Sequence, residues 1–311
     1  MLPRDPFTTA DATAAGYSPL KISVLVATGS WVALRRGVYC TAERLQAGRW
    51  TPRSEHVLQI QAALLGMRRP AVVSGWSAAL LSGLPLPVRL HGRAPEHVTL
   101  TTSTGHSRHL SGVRLLVAPL PADHVVADPE APTTTPARTA VDLAVRAADA
   151  ERPDVLAVLD AVLNTELASK AQLHEIARLF GGRPGGANAR ALIDLADGRS
   201  ESPLESHSRA FFAATDLPMP EAQVEIRDDR GRLVGRVDFL WREQRTVGEA
   251  DGRLKYGSID VLYREKQRED RLRELGFEVV RWDTTDLRHS PAATAARIRA
   301  AFARGAQLGP R

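Results

Sequence analysis

Two β-rich apolar runs split by four polar residues constrain the fold more than any other feature of this chain. Leu233–Trp241 and Thr246–Asp251 flank the turn Arg242-Glu243-Gln244-Arg245. If that turn closes a hairpin, Trp241 lies opposite Thr246 and every other pairing is fixed with it. Asp238 then falls opposite Glu249, and Arg236 opposite Asp251. Opposed residues share one side of a sheet, with Cβ atoms about 5 Å apart. Val237, Phe239 and Trp241 point the other way, into a core. Asp238, Glu249 and Asp251 are therefore expected on one face. Like charges set directly opposite destabilise a hairpin unless a cation holds them. Donors that are all carboxylate oxygens select a hard divalent ion, and Mg²⁺ is expected, with Mn²⁺ as its substitute. The plainer reading is a solvated hairpin in which Asp251 pairs with Arg236 and Glu249 with a helix arginine.

The surrounding elements extend the pattern. Leu204–Thr215 reads as a helix with Glu205 and Arg209 one turn apart on a shared face. Gln223–Ile226 reads as a strand, and Asp228-Asp229-Arg230-Gly231 as a turn. Beyond the hairpin come Lys255, a charged helix over Ile259–Leu275 stopped by Gly276, an apolar strand Phe277–Trp282 and a helix Pro291–Ala303. Helix, three-stranded meander, helix, strand, helix makes an α/β sandwich with carboxylates at its centre.

The other end of the chain carries a different signal. Residues 1–100 hold 11 Lys and Arg against 5 Asp and Glu, whereas residues 101–285 hold 25 against 30. A basic end on a near-neutral body suggests a polyanion partner. Thr8 or Thr9 can cap a helix over Ala10–Ala15 that Gly16 closes, and Ser18-Pro19 starts a second over Leu20–Thr28. Trp31–Cys40 reads as two strands around an Arg-Arg-Gly turn. Helix, turn, helix and basic hairpin make a winged helix-turn-helix over residues 1–53, with double-stranded DNA as its ligand. Lys21 on the second helix and Arg35 and Arg36 on the hairpin are the expected DNA contacts. The alternative is a stabilising hairpin with merely solvated arginines.

Residues 54–198 read as a middle α/β domain of alternating helices and short strands. The run Gly181-Gly182-Arg183-Pro184-Gly185-Gly186 lacks the Gly-Lys-Ser/Thr ending of a phosphate loop and reads as a flexible connector. The scattered histidines show no zinc-ligand spacing. Cys40 is the single cysteine, which excludes an intrachain disulfide and fits a reducing cytoplasm. No apolar run approaches the ~18 residues a membrane span needs, and residues 1–5 open no signal peptide. The chain therefore reads as an α+β multidomain protein of the cytoplasm with no membrane partner.

Asp238 on one strand, Glu249-Ala250-Asp251-Gly252 on the next, and the closing Gly-Phe-Glu-Val-Val-Arg strand resemble the PD-(D/E)XK nucleases, and among them the very-short-patch-repair (Vsr-like) branch. The resemblance covers residues 199–305 and implies a restriction-endonuclease-like sandwich with a mixed sheet. Glu205 resembles the first-motif acid. The pattern's lysine two residues after the glutamate is Asp251 here, a departure that Vsr-like members share, so Lys255 or Lys266 is left to supply the cation, with Lys255 preferred. Arg35-Arg36-Gly37-Val38-Tyr39 and Thr135-Pro136-Ala137-Arg138-Thr139-Ala140-Val141-Asp142 resemble type IV antitoxins of the abortive-infection (AbiE) kind. That resemblance implies binding of operator DNA, repression and a cognate toxin partner.

Two functions follow as expectations. In the first, Asp238, Glu249 and Asp251 hold Mg²⁺, with Glu205 and Lys255 also in the catalytic set, and the domain hydrolyses DNA phosphodiesters. In the second, the protein is a non-catalytic repressor whose nuclease-like domain is a remnant or a binding module.

Overall fold

The computed structural model describes residues 5–47, 50–90, 92–129, 131–251 and 259–307. The chain forms two compact units, Met1–Arg146 with Ala171–Ala189, and Ala147–Lys170 with Arg190–Arg311. Helices and strands mix in both, and two of the three sheets combine parallel and antiparallel pairs. No described helix is long and apolar enough to cross a membrane.

In the first unit, β1 (Phe7–Thr8) leads into α1 (Thr9–Ala14), α2 (Pro19–Ala27) and the hairpin β2 (Trp31–Arg35) and β3 (Val38–Thr41). Thr8 and Asp11 form a reciprocal capping box that starts α1. Ser18 accepts from the Lys21 amide at 3.2 Å, and Pro19 at the first helical position presets φ for α2. The three strands pair in the order β1-β3-β2. Phe7, Ala12, Ile22 and Trp31 fill the space between helices and sheet, with the Phe7 and Trp31 rings edge to face at 4.8 Å.

After α3 (Ala42–Ala47) and α4 (Pro52–Leu65), a second sheet is assembled from β4 (Val72–Val73), β5 (Val98–Thr102), β6 (Arg108–Leu110), β7 (Val113–Val117), β8 (Val125–Val126) and β9 (Thr133–Thr134). Its order is β6-β7-β5-β4-β9-β8. α5 (Gly75–Leu81) and α6 (Pro136–Arg146) complete this part, and every residue from Arg138 to Ala144 is buried. Burying seven consecutive residues of a helix demands packing all round, which explains the small Ala and Thr side chains among them. Buried His56 faces the Ser77 hydroxyl at 2.9 Å, and burial holds its pKa down near about 4. It is a structural histidine.

α7 (Arg152–Asn164), α8 (Lys170–Arg178) and α9 (Gly186–Leu195) follow. Within the mostly exposed run before α9, one glycine is fixed by its surroundings. Gly185 sits at φ +88°, and a Cβ there would overlap the Val145 carbonyl, so only glycine lets the chain approach so closely.

In the second unit, α10 (Pro203–Ala214) precedes β10 (Glu221–Arg227), β11 (Leu233–Trp241) and β12 (Thr246–Ala250). α11 (Ile259–Glu274) then crosses to β13 (Glu278–Trp282), and α12 (Thr284–His289) and α13 (Pro291–Gln307) close the chain. The sheet order is β10-β11-β12-β13, antiparallel except for the last, parallel pair. Trp241 pairs with Thr246, Leu240 with Val247 and Phe239 with Gly248, the register that the four-residue turn requires. Both sheet faces are covered. Phe212, Phe239, Trp241 and Trp282 form an aromatic cluster on one, and Ile226, Leu240, Val247 and Leu272 pack on the other. Full burial of each such side chain is worth about 1.5–3 kcal/mol. At Gly248 a Cβ would come within 2.5 Å of the Trp282 ring, so this strand position accepts no side chain.

Candidate functional site

In the second unit each of the expected acidic residues has a partner, and one side chain links two of them. Glu205, buried in the first turn of α10, accepts from the Ser202 hydroxyl at 2.7 Å and the Glu201 amide at 3.0 Å. It thereby closes the helix N-terminus as a cap. Gln223 on β10 donates its side-chain amide to Glu205 Oε2 at 2.8 Å and to Asp238 Oδ1 at 3.4 Å. It does so from a positive φ of 55°, a strained value for a non-glycine residue that turns its side chain toward the two acids. The other Asp238 oxygen accepts from the Ala250 amide at 2.9 Å. The backbone pairing of this hairpin runs from Trp241–Thr246 to Phe239–Gly248, and beyond it the Asp238 side chain, not a backbone carbonyl, receives the Ala250 amide.

Arginines hold the other two carboxylates. Arg268 of α11 donates to Glu249 at 3.0 Å, and its second nitrogen donates to the Arg236 carbonyl at 3.1 Å. Asp251, whose amide donates to the Trp282 carbonyl, meets Arg281 of the neighbouring strand at 3.3 Å. Arg281 also reaches Glu269 at 3.1 Å. The expected Arg236–Asp251 pair is not what forms: Arg236 instead makes a two-pronged pair with Glu201 at 2.8 and 2.6 Å. Register places backbones, but a long guanidinium goes to the carboxylate that accepts both its prongs. Arg209, expected beside Glu205, bonds Asp197 at 3.3 Å and the Leu195 carbonyl. Lys255 lies outside the described residues. Lys266 of α11 is exposed.

A divalent cation needs carboxylate lone pairs aimed at one point. Here amide and guanidinium donors aim at those lone pairs. Among the described residues no group of three His, Cys, Asp or Glu side chains could hold a metal ion. As arranged, Asp238, Glu249 and Asp251 do not fit Mg²⁺.

The N-terminal module presents another chemistry. No residue from Ala12 to Ala42 is acidic, while Lys21, Arg35 and Arg36 are basic. Lys21 is exposed at the start of α2, its ammonium 4.8 Å from the centre of the Tyr17 ring. Arg36 is exposed at the hairpin turn. Arg35 differs from both. Its guanidinium is turned onto the Ser111 carbonyl at 2.6 Å and the Gly112 carbonyl at 3.4 Å, beside β7, and desolvation lowers its pKa. The two arginines are adjacent in sequence, but Arg35 ends strand β2 and Arg36 belongs to the turn, so they meet different surroundings.

A buried ion pair lies within the Thr135–Ala144 motif. Arg138, with no exposed surface, approaches Asp142 at 3.1 Å, and Arg146 approaches the same carboxylate at 3.6 Å. Arg138 also stacks over the Phe180 ring at 5.2 Å and meets His124 at 3.2 Å. Burial raises the Asp142 pKa against the pull of both arginines.

Residues 71–195, which contain this motif, match the family model of the AbiEi antitoxin C-terminal domain. Two uncharacterized proteins of Mycobacterium tuberculosis, from strains CDC 1551 / Oshkosh and H37Rv, are each 36% identical over 165 residues. Those alignments cover 53% of this chain and 59% of each relative, so the chain spans about three fifths of the relatives' length.

Proposed function

We propose that this protein is a DNA-binding regulator of the antitoxin type. α2 and the β2–β3 hairpin grip duplex DNA, and the region over residues 71–195 engages a cognate toxin. The observation that carries this reading is the match of residues 71–195 to an antitoxin domain, in a chain whose preceding module has no acid from Ala12 to Ala42. The strand and helix order β1-α1-α2-β2-β3, with β1 paired to β3, suits a winged helix, in which the second helix enters the major groove and the hairpin follows the phosphates. Lys21 and Arg36 are the phosphate contacts; Arg35 fixes the hairpin.

The test is binding of the full chain to duplex from upstream of its own gene, followed through a salt titration. Lys21→Ala and Arg36→Ala are each expected to weaken binding uniformly across sequences and to lower the salt slope by about 1. Wild-type slopes in both variants, or no binding at all, would overturn the reading.

A second reading keeps phosphodiester hydrolysis by the C-terminal unit with Mg²⁺ or Mn²⁺. One observation favours it: Glu205, Asp238 and Glu249 come from the helix and the last two strands of an α-βββ segment, and Gln223 on the first strand joins the first two. The donors on those carboxylates weigh against it. Supercoiled plasmid incubated with either metal is expected to stay intact to the same degree with wild type, Asp238→Ala and Glu249→Ala. Nicking by wild type alone would reinstate the enzyme.

A further inference from the structure

We propose that α2 recognises its DNA mainly through thymine methyl groups, an inference that rests on the DNA-binding reading and narrows the class of sequence bound. The outward side of α2 is unusual. Ile22 is buried and Leu25 and Val26 are partly buried against the module's core. Beside exposed Pro19, Lys21 and Ser23, solvent meets Leu20, 76% exposed, Val24, 50% exposed, and Ala27, which recur at helical spacing and form one apolar stripe. A surface helix normally turns polar residues outward, so this stripe is built to meet something.

The helix also lacks the side chains that read the other bases. Bidentate recognition of guanine uses Arg or Lys, and of adenine Asn or Gln. Pro19–Ala27 contains no Arg, Asn or Gln, and Lys21 is its one long donor. Ser23 donates its hydroxyl to the Pro19 carbonyl at 3.0 Å and Thr28 donates to Val24 at 2.9 Å, so both protons are returned to the helix. What remains is apolar contact, and the one apolar group on the major-groove edge of a base is the C5 methyl of thymine.

Charge selects DNA rather than a protein as the occupant. Lys21 borders the stripe, Arg36 is exposed on the same small module, and no carboxylate occurs from Ala12 to Ala42. A phosphate backbone on either side of a methyl-lined groove complements that surface.

The experiment uses the full chain and a duplex that it selects from a random-sequence pool, synthesised with thymine or with deoxyuracil throughout. Deoxyuracil keeps every hydrogen bond and removes only the methyl. Wild type is expected to bind the deoxyuracil duplex about tenfold more weakly, the loss for two methyl contacts. The exposed double variant Leu20→Ala/Val24→Ala is expected to bind both duplexes equally and near the weaker wild-type level. Equal wild-type binding to the two duplexes, with the salt dependence intact, overturns methyl reading, leaves DNA binding standing and reassigns the stripe to a protein partner. Failure to bind any duplex overturns both.

Discussion

Replacing Arg138 with alanine is expected to lower stability by about 3–5 kcal/mol, because it leaves a buried carboxylate without its nearest partner. Asp142 is 2% exposed, and desolvation already outweighs its two arginines. Arg146 remains at 3.6 Å, which pulls the cost toward the lower end of that range. The guanidinium also packs on Phe180, so truncation removes apolar contact together with charge. The double variant Arg138→Met/Asp142→Leu removes both charges and keeps most of the volume. It is expected to be more stable than Arg138→Ala, since a buried pair exchanged for apolar groups is often neutral or stabilising. Urea titrations of wild type and both variants provide the comparison. A loss under 1 kcal/mol in the single variant, or a double variant less stable than the single, would show that the pair is not the anchor of its motif.

Asp160→Asn is expected to act through pH. The Asp160 side chain has no exposed surface and accepts from the Asp197 amide at 2.7 Å. Burial, partly offset by that bond, by the Ser206 and Ser200 hydroxyls and by Arg209, raises its pKa to about 6. In the unfolded chain it titrates near the usual 3.8. Between those values the folded protein binds the extra proton, so stability falls as pH rises from about 4 to about 6 and is level above. A shift of about two units corresponds to about 3 kcal/mol. Asparagine keeps the acceptor oxygen for the Asp197 amide and carries no charge. The difference in melting stability between variant and wild type is expected to grow from near zero at pH 4 to its full value above pH 6, with the variant the more stable. A difference independent of pH would remove Asp160 from the titration.

The sequence was most legible where local rules decide. The hairpin register follows from a four-residue turn and a period of two, and Trp241–Thr246 pairs accordingly. Thr8 and Ser18 announce α1 and α2 as caps, and α10 starts at Pro203 behind its cap Ser202. Legibility ends where a side chain chooses among distant partners. Nothing near Arg35 names the Ser111 carbonyl, 76 residues away, and nothing near Glu249 chooses Arg268 over other arginines of α11. Glu249 does take a helix arginine, while Arg236 takes Glu201 in place of Asp251. The role of Gln223 depends on a positive φ in mid-strand, which no residue-type preference signals. In the Gly181–Gly186 run, Gly182 lies in open space while Gly185 does not. Composition cannot separate a glycine that is free from one pressed against Val145.

The Arg35 clamp has an entropic consequence. A hairpin tip that swings freely must be immobilised by whatever it touches, and that ordering weakens the encounter. Two bonds from one side chain to the Ser111 and Gly112 carbonyls impose the restraint during folding instead. The hairpin thus arrives at any ligand preorganised, and loosening it through Arg35 would slow capture and shorten residence.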